Sequence, residues 1–167
     1  MIKAKKLPPL EEIAKFIEYD AETGSFKWRV SRKGHAKAGM TAGAKNPNGY
    51  IYIRINKVDY LAHRLAWLFI HQDPGEDMQI DHANGVRHDN RISNLRLSSH
   101  AQNRWNSKPR SHNKSGATGV KARGKKWAAR IRTEEKEIWL GTYDTIEKAK
   151  AAYDKAALEL RGKFAKT

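Results

Sequence analysis

Apolar residues along this chain recur with two different periods, and the switches between them mark the elements. After Pro8-Pro9, Leu10, Ile13, Ala14 and Ile17 recur at helical spacing and predict a short amphipathic helix within LEEIAKFIEYD. Thr23-Gly24 makes a turn. SFKWRV then alternates Phe26 and Trp28 with Lys27 and Arg29, which predicts a strand. Residues 31–48, rich in Gly, Lys and Ala, read as a mobile basic loop. YIYIRI and VDYLA flank a turn at Asn56-Lys57 and predict a hairpin. LAHRLAWLFIHQ returns to helical spacing and predicts a buried helix, ended by Asp73-Pro74-Gly75.

Further on, a short strand leads into Ile80, a polar loop covers 83–91 and a second strand covers 94–97. A helix follows from about Ser99, with Ser98 or Ser99 as its cap. RWNSKPRSHNKSGAT carries four basic residues and no acid, and reads as a flexible linker. GVKARG, KWAARIR and EIWLGTY are short alternating strands. Asp144-Thr145 then opens TIEKAKAAYDKAALELRGK, a helix with alanines and Leu158 on one face, stopped by Gly162.

Composition narrows the function. At 167 residues the chain holds one medium domain or two small ones, and 39% hydrophobic residues exclude a disordered polycation. No apolar run is long enough to span a membrane, and MIKAKKLPPLEE is not a secretory signal. Cysteine is absent, so disulfides, thiolate zinc sites and cysteine nucleophiles are excluded. Lys and Arg number 33 against 18 Asp and Glu, a formal charge of +15. That excess points to a polyanion, with nucleic acid ahead of an anionic membrane and an ordinary solvated surface as the bland alternative. Residues 104–167 carry net +10 and residues 1–103 net +5, as expected when one module does most of the phosphate binding.

The candidate chemistry lies in Asp81-His82, Asn94 and Asn103, the last two 13 and 22 residues beyond Asp81. Asp81 offers a hard anionic oxygen and Asn103 an amide oxygen, which with water and phosphate oxygens suit Mg²⁺ or a similar ion. A neutral His82 imidazole can take a proton from an attacking water. On a strand it points away from Asp81, so it needs a bend to reach the same phosphate. Asn94 is a candidate to fix its tautomer, through the side-chain or backbone oxygen. From the residues alone, His82 can equally be a structural or solvated histidine in a polar loop.

Residues 60–106 resemble the HNH nucleases of phage and intron homing endonucleases, through the HRLAWLF helix, IDHANG, DNRISNLR and the QN pair, in order and spacing. The resemblance implies a ββα-metal fold with His82 as general base and Asp81 and Asn103 as metal ligands. It implies that Asn94 orients His82. Mg²⁺ is the first choice of metal, with Mn²⁺ also accepted. His100, three residues before Asn103, is the competing ligand. Asn90 reads as a residue that holds the loop's shape, and His63 as a structural hydrogen-bonder within the helix motif, with a phosphate contact as the alternative.

Residues 114–167 resemble the plant ethylene-response-factor (Apetala-two) DNA-binding domain, through GV at 119–120, WAARIR, WLGTYDT, AAYDKAA and RGKFA. The resemblance implies a three-stranded sheet in the DNA major groove with a helix behind it. Alternation then turns Lys121, Arg123, Arg130, Arg132, Glu137 and Trp139 to DNA, with Lys125 and Lys126 in the first turn. Thr118 and Glu137 stand where the plant proteins usually carry Arg, so base specificity differs. Residues 9–57 resemble, more loosely, an N-terminal module of phage HNH enzymes, with Lys27, Arg29 and Arg54 as candidate phosphate contacts.

The expected fold is α+β: a small N-terminal antiparallel sheet and a ββα-metal nuclease core, linked to a three-stranded antiparallel sheet on one helix. The expected domains are an N-terminal module (1–59), the nuclease core (60–106), a basic linker (107–115) and the DNA-binding domain (116–167). The reading is a metal-dependent homing-type endonuclease that hydrolyses double-stranded DNA as a monomer or homodimer, without a membrane partner. The family habit implies a phage gene and bacterial cytoplasm. A DNA-binding regulator with an inactive nuclease fold is the alternative, and a basic RNA-binding protein a third.

Overall fold

The structure, a computed structural model, describes residues 6–32, 34, 36–105, 113 and 115–165. It is α+β, with four small antiparallel sheets among the described residues. The chain divides into two compact units between residues 100 and 101. Except for Asn113 and Ser115, the expected linker lies outside the described residues.

The first unit opens with α1 (Leu10–Ala14), which is shorter than the apolar spacing suggests. Ile17 does not continue this helix. It starts β1 (Ile17–Asp20), which pairs with β2 (Ser25–Trp28) in the register Ile17 to Trp28 and Tyr19 to Phe26. IEYD fits a strand as well as a helix turn, and pairing with β2 buries Ile17 and Phe26 together. The hairpin turn is held by Asp20 Oδ1, which accepts from the N–H of Glu22 and Thr23 at 2.9 and 3.2 Å.

Next come β3 (Ala44–Lys45), β4 (Ile51–Ile55) and β5 (Val58–Leu61), hydrogen-bonded in that order. Asn56 and Lys57 at the β4–β5 turn have φ of +50° and +65°, the left-handed pair that matches strand twist in two-residue hairpins. The buried helix is α2 (Ala62–Ile70). Its Arg64 closes the following turn by donating to the carbonyls of Gly75 and Met78. That brings the chain into β6 (Gln79–His82), which pairs with β7 (Leu95–Ser98) and is followed by α3 (His100–Trp105). The Ser98 hydroxyl donates to the Gln79 carbonyl at 3.3 Å. One hydrophobic core joins Leu7, Ile13, Ile17 and Phe26 to Leu65, Leu68, Ile80 and Leu95, so the N-terminal hairpin and the β6–β7 pair pack together.

In the second unit β8 (Val120–Arg123), β9 (Lys126–Arg132) and β10 (Glu137–Tyr143) form a sheet with β9 central. One face is covered by α4 (Ile146–Arg161), whose Thr145 cap accepts from the Lys148 N–H. Ala149, Tyr153, Ala156, Ala157 and Arg161 are its buried residues. Leu158, expected on that face, is instead 58% exposed.

Gly24 ends the first hairpin turn at φ +73°, and an added Cβ would lie 2.4 Å from Arg91 N and 2.6 Å from Asn90 C. Both neighbours are backbone and cannot swing aside. Gly24→Ala is therefore expected to destabilise the first unit by about 1–3 kcal/mol, read as a lower midpoint in denaturant unfolding.

Candidate active site

β6 carries the two residues on which the candidate chemistry rests, Asp81 and His82, and both side chains are buried. Asp81 faces Arg96 across the β6–β7 pair, and its Oδ2 accepts from Arg96 Nε and Nη2 at 2.8 and 2.7 Å. His82 is the last residue of β6. The chain bends directly after it, where the Gly85 N–H donates to the His82 carbonyl. The turn begins after His82, so within β6 the Asp81 and His82 side chains alternate, and the bend expected to bring them to one face is not found in the strand.

The His82 ring lies against the His63 ring edge-to-face at 5.0 Å and against the Tyr50 ring at 6.0 Å. Its Nε2 is 3.2 Å from Asn90 Oδ1. Burial pushes the His82 pKa below the ordinary imidazole value, and the Asn90 bond opposes this. Burial drives His63 further, down to about 3. His63 Nδ1 is buried and has no hydrogen-bond partner among the described residues, and the ring packs against that of His82.

Asn94 acts one step back from the ring. Its backbone oxygen accepts from the Ala83 N–H at 2.9 Å, and its side-chain oxygen accepts from the Asn84 N–H at 3.0 Å. Its amide donates to the Asp89 carbonyl at 2.8 Å. Both oxygens expected to orient His82 thus fix the peptide that follows it, and the ring nitrogen's partner is Asn90. Asp89 is held by Asn84 Nδ2 and by two bonds from the Arg91 guanidinium, and the Arg91 side-chain bonds are the main reason its carboxyl lies well below the usual range.

His100, the competing ligand, engages Gln79: its Nδ1 is 2.9 Å from Gln79 Nε2. Asn103 lies on α3, within the second unit. Among the described residues no group of three His, Cys, Asp or Glu is placed to hold a metal. One buried carboxylate with amide oxygens suits a hard cation that keeps water and phosphate ligands, and does not suit zinc. Arg96 engages Asp81 Oδ2, the anionic oxygen such a cation would need.

Arg96, Tyr50 and Arg87 were not singled out in the sequence. Arg87 lies over the Tyr50 ring at 5.0 Å and donates to the Asn48 carbonyl. The strand register could have revealed Arg96, because pairing Ile80 with Leu97 sets Asp81 opposite it. Tyr50 and Arg87 carry no such signal.

The candidate phosphate contacts of the N-terminal sheets divide. Lys27 is exposed on β2. Arg29 lies 3.9 Å from Glu18, and Arg54 makes two bonds to Asp59 at 2.6 and 2.7 Å. The second unit gathers its charges on the sheet face away from α4. The pairings Lys121 to Ala128, Arg123 to Lys126, Trp139 to Arg130 and Glu137 to Arg132 place these residues together. Lys125 stands in the β8–β9 turn, beside Lys126. Trp139 is 53% exposed, with the Arg123 guanidinium 5.4 Å from its ring. Glu137 accepts from Arg130 at 2.8 Å, a bond that lowers the glutamate's pKa, and Lys126 pairs with Asp144 at 3.3 Å.

Residues 60–105 match the HNH endonuclease family, and residues 115–163 match the AP2 domain. The chain is similar to the ethylene-responsive transcription factor ERN3 of Medicago truncatula, 45% identical over 69 residues, 40% of this chain and 29% of that protein. It is also similar to the ethylene-responsive transcription factor ERF026 of Arabidopsis thaliana, 52% identical over 46 residues, 26% of this chain and 18% of that protein. The dehydration-responsive element-binding protein 1F of the same plant is 46% identical over 50 residues, 28% of this chain and 24% of that protein. The chain spans less than a third of these relatives' lengths. Among the described residues no helix is long and apolar enough to cross a membrane.

His63 yields a stability prediction. Its folded pKa, about 3, lies below the ordinary value of 6.5, so the unfolded chain binds the proton more readily. The stability tied to His63 is present above about pH 6.5 and is lost as pH falls toward 3. His63→Phe is expected to flatten this part of the stability–pH curve in denaturant titrations at pH 7, 5.5 and 4.5.

Proposed function

We propose that this chain, in which an HNH endonuclease domain over residues 60–105 precedes an AP2 domain over 115–163, is a metal-dependent DNA endonuclease of the homing type. The observation that carries the reading is the adjacency on β6 of a buried carboxylate and a buried imidazole, the latter at the bend and held by Asn90. An imidazole kept neutral by burial has a lone pair available for a proton at neutral pH.

In this mechanism His82 takes a proton from water as the water oxygen attacks phosphorus. The bond from phosphorus to the 3′-oxygen breaks, the 3′-oxygen takes up a proton from solvent, and 5′-phosphate and 3′-hydroxyl ends remain. Asp81 and Asn103 would hold the divalent ion, Mg²⁺ first, which supplies charge stabilisation at the leaving oxygen when bound. Asn94 and Asn90 keep the His82 bend and ring in place. The sheet of the second unit binds duplex DNA through phosphate contacts from Lys121, Arg123, Lys125, Lys126, Arg130 and Arg132, with Trp139 at the groove. Lys27 adds a contact from the first unit, and Arg29 and Arg54 add theirs after exchanging carboxylate partners for phosphates. One bound copy nicks a strand and two cut both.

The curated relatives are named as ethylene-responsive transcription factors or as a dehydration-responsive element-binding protein, which favours a second reading: a DNA-binding regulator with a silent nuclease fold. Supercoiled plasmid incubated with protein and Mg²⁺, with and without chelator, separates the two. The nuclease reading expects nicked or linear product that chelator abolishes. Intact plasmid under both conditions sinks it.

His82→Ala is expected to lower turnover by roughly 10²–10⁴-fold with DNA affinity unchanged in a gel-shift assay. Asp81→Ala is expected to abolish Mg²⁺-dependent cleavage. Arg130→Gln and Arg132→Gln are each expected to reduce the slope of log affinity against log salt by about 1. An unchanged slope would remove the sheet face from the interface.

A further inference from the structure

We propose that Asn90 is the positioning residue that sets the His82 tautomer, and that the N-terminal hairpin β1–β2 is the device that holds Asn90 in place. The proposal rests on the reading of His82 as general base.

A neutral imidazole carries one proton on two nitrogens, and only the bare nitrogen can act as a base. An amide oxygen accepts hydrogen bonds and cannot donate them. Asn90 Oδ1 at 3.2 Å from His82 Nε2 therefore selects the form with the proton on Nε2, which leaves the lone pair on Nδ1. The contact is buried at both ends, where it meets little competition from water.

Asn90 lies in a loop, and a loop residue positions a ring only if its own backbone is fixed. The N-terminal hairpin does this at three points. The Tyr19 hydroxyl, on β1, donates to the Asn90 carbonyl at 2.7 Å. The Ile92 N–H donates to the Ala21 carbonyl at 3.1 Å. Gly24 leaves no room for even a methyl group between the hairpin turn and the Asn90–Arg91 peptide. On the other flank, Asn94 Nδ2 donates to the Asp89 carbonyl. Tyr19 is itself seated by Phe26 at 4.7 Å and Phe69 at 6.0 Å between ring centroids. Burial is the main cause that pushes its hydroxyl up to about 12, so the hydroxyl stays a donor. The N-terminal segment thus acts on the site through the backbone of Asn90.

The test is long-range ¹H–¹⁵N spectroscopy of the full chain with ¹⁵N-labelled histidine at pH 8 without added metal. His82 is assigned by its loss in His82→Gln. The wild-type ring is expected to show a protonated Nε2 and a bare Nδ1. Asn90→Ala is expected to shift the ring toward a mixed population and to lower kcat by about 10–100-fold, with DNA affinity within about twofold. Asn90→Asp retains an acceptor oxygen and is expected to restore the Nε2-protonated form. Tyr19→Phe is expected to move the spectrum part of the way, with a several-fold loss of kcat. A wild-type ring protonated on Nδ1 overturns the proposal without any variant. So does an Asn90→Ala protein that keeps both tautomer and kcat. An unchanged spectrum and rate in Tyr19→Phe overturns the hairpin's part. The spectrum does not depend on cleavage. Full activity in His82→Ala would therefore defeat the base assignment while leaving the tautomer result to be judged by itself.

Discussion

The register of β6 against β7 is the constraint on which the chemistry of the first unit depends. Side chains alternate with a period of two, so a slip by one residue would send Asp81 and His82 each to the opposite face. Ile80 and Leu95 hold the register from the core side, where both are buried in the cluster that also holds Leu65 and Leu68. Arg96 holds it from the polar side through its two bonds to Asp81. The pairing is four residues long, so side-chain contacts must supply specificity that a short ladder lacks.

A polar site inside such a small core is costly to bury, and the surrounding groups offset much of that cost. Asp81 has Arg96, the His82 ring has Asn90, and Asp89 has Asn84 and Arg91. His63 avoids the cost by staying neutral beside His82, where a charged ring would be unpaired and desolvated. Such a network fixes the positions of its side chains. The Arg96 pair belongs to the same balance, since it neutralises a buried carboxylate that would otherwise stand alone.

The second unit solves a different problem. Its helix face is built from alanines, so α4 lies close against the sheet, and Tyr153 fills the remaining depth. Gly119 permits this, since a Cβ there would lie 2.3 Å from the Tyr153 ring. With its apolar residues turned to the helix, the sheet presents a face in which Lys and Arg outnumber acids. Glu137 is the exception, and its bond to Arg130 fixes the direction of one guanidinium. A paired arginine is oriented at the cost of part of its field.

Much of this was legible in the amino-acid order because the signals are local. Period-two alternation marked β2, β4, β5 and the three strands of the second unit. Asn56-Lys57 marked a turn, Thr145 and Gly162 marked the ends of α4, and Asp81-His82 marked the chemistry. Local pattern failed where two readings fit the same residues. Ile17 suits a helix or a strand, and its pairing with Trp28 decided for the strand. Leu158 stands about two and a half helical turns beyond Ala149, which points it away from the buried face of α4. The partners of the candidate site were less legible still. Arg96 meets Asp81 across two strands, Asn90 meets His82 across a loop, and Tyr19 reaches Asn90 from 71 residues away. Side-chain type and near spacing were enough to mark which residues are able to serve acid–base or cation-binding chemistry. The tertiary structure alone decided which of them hold one another, because contacts between distant segments follow from packing and carry no periodic trace along the chain.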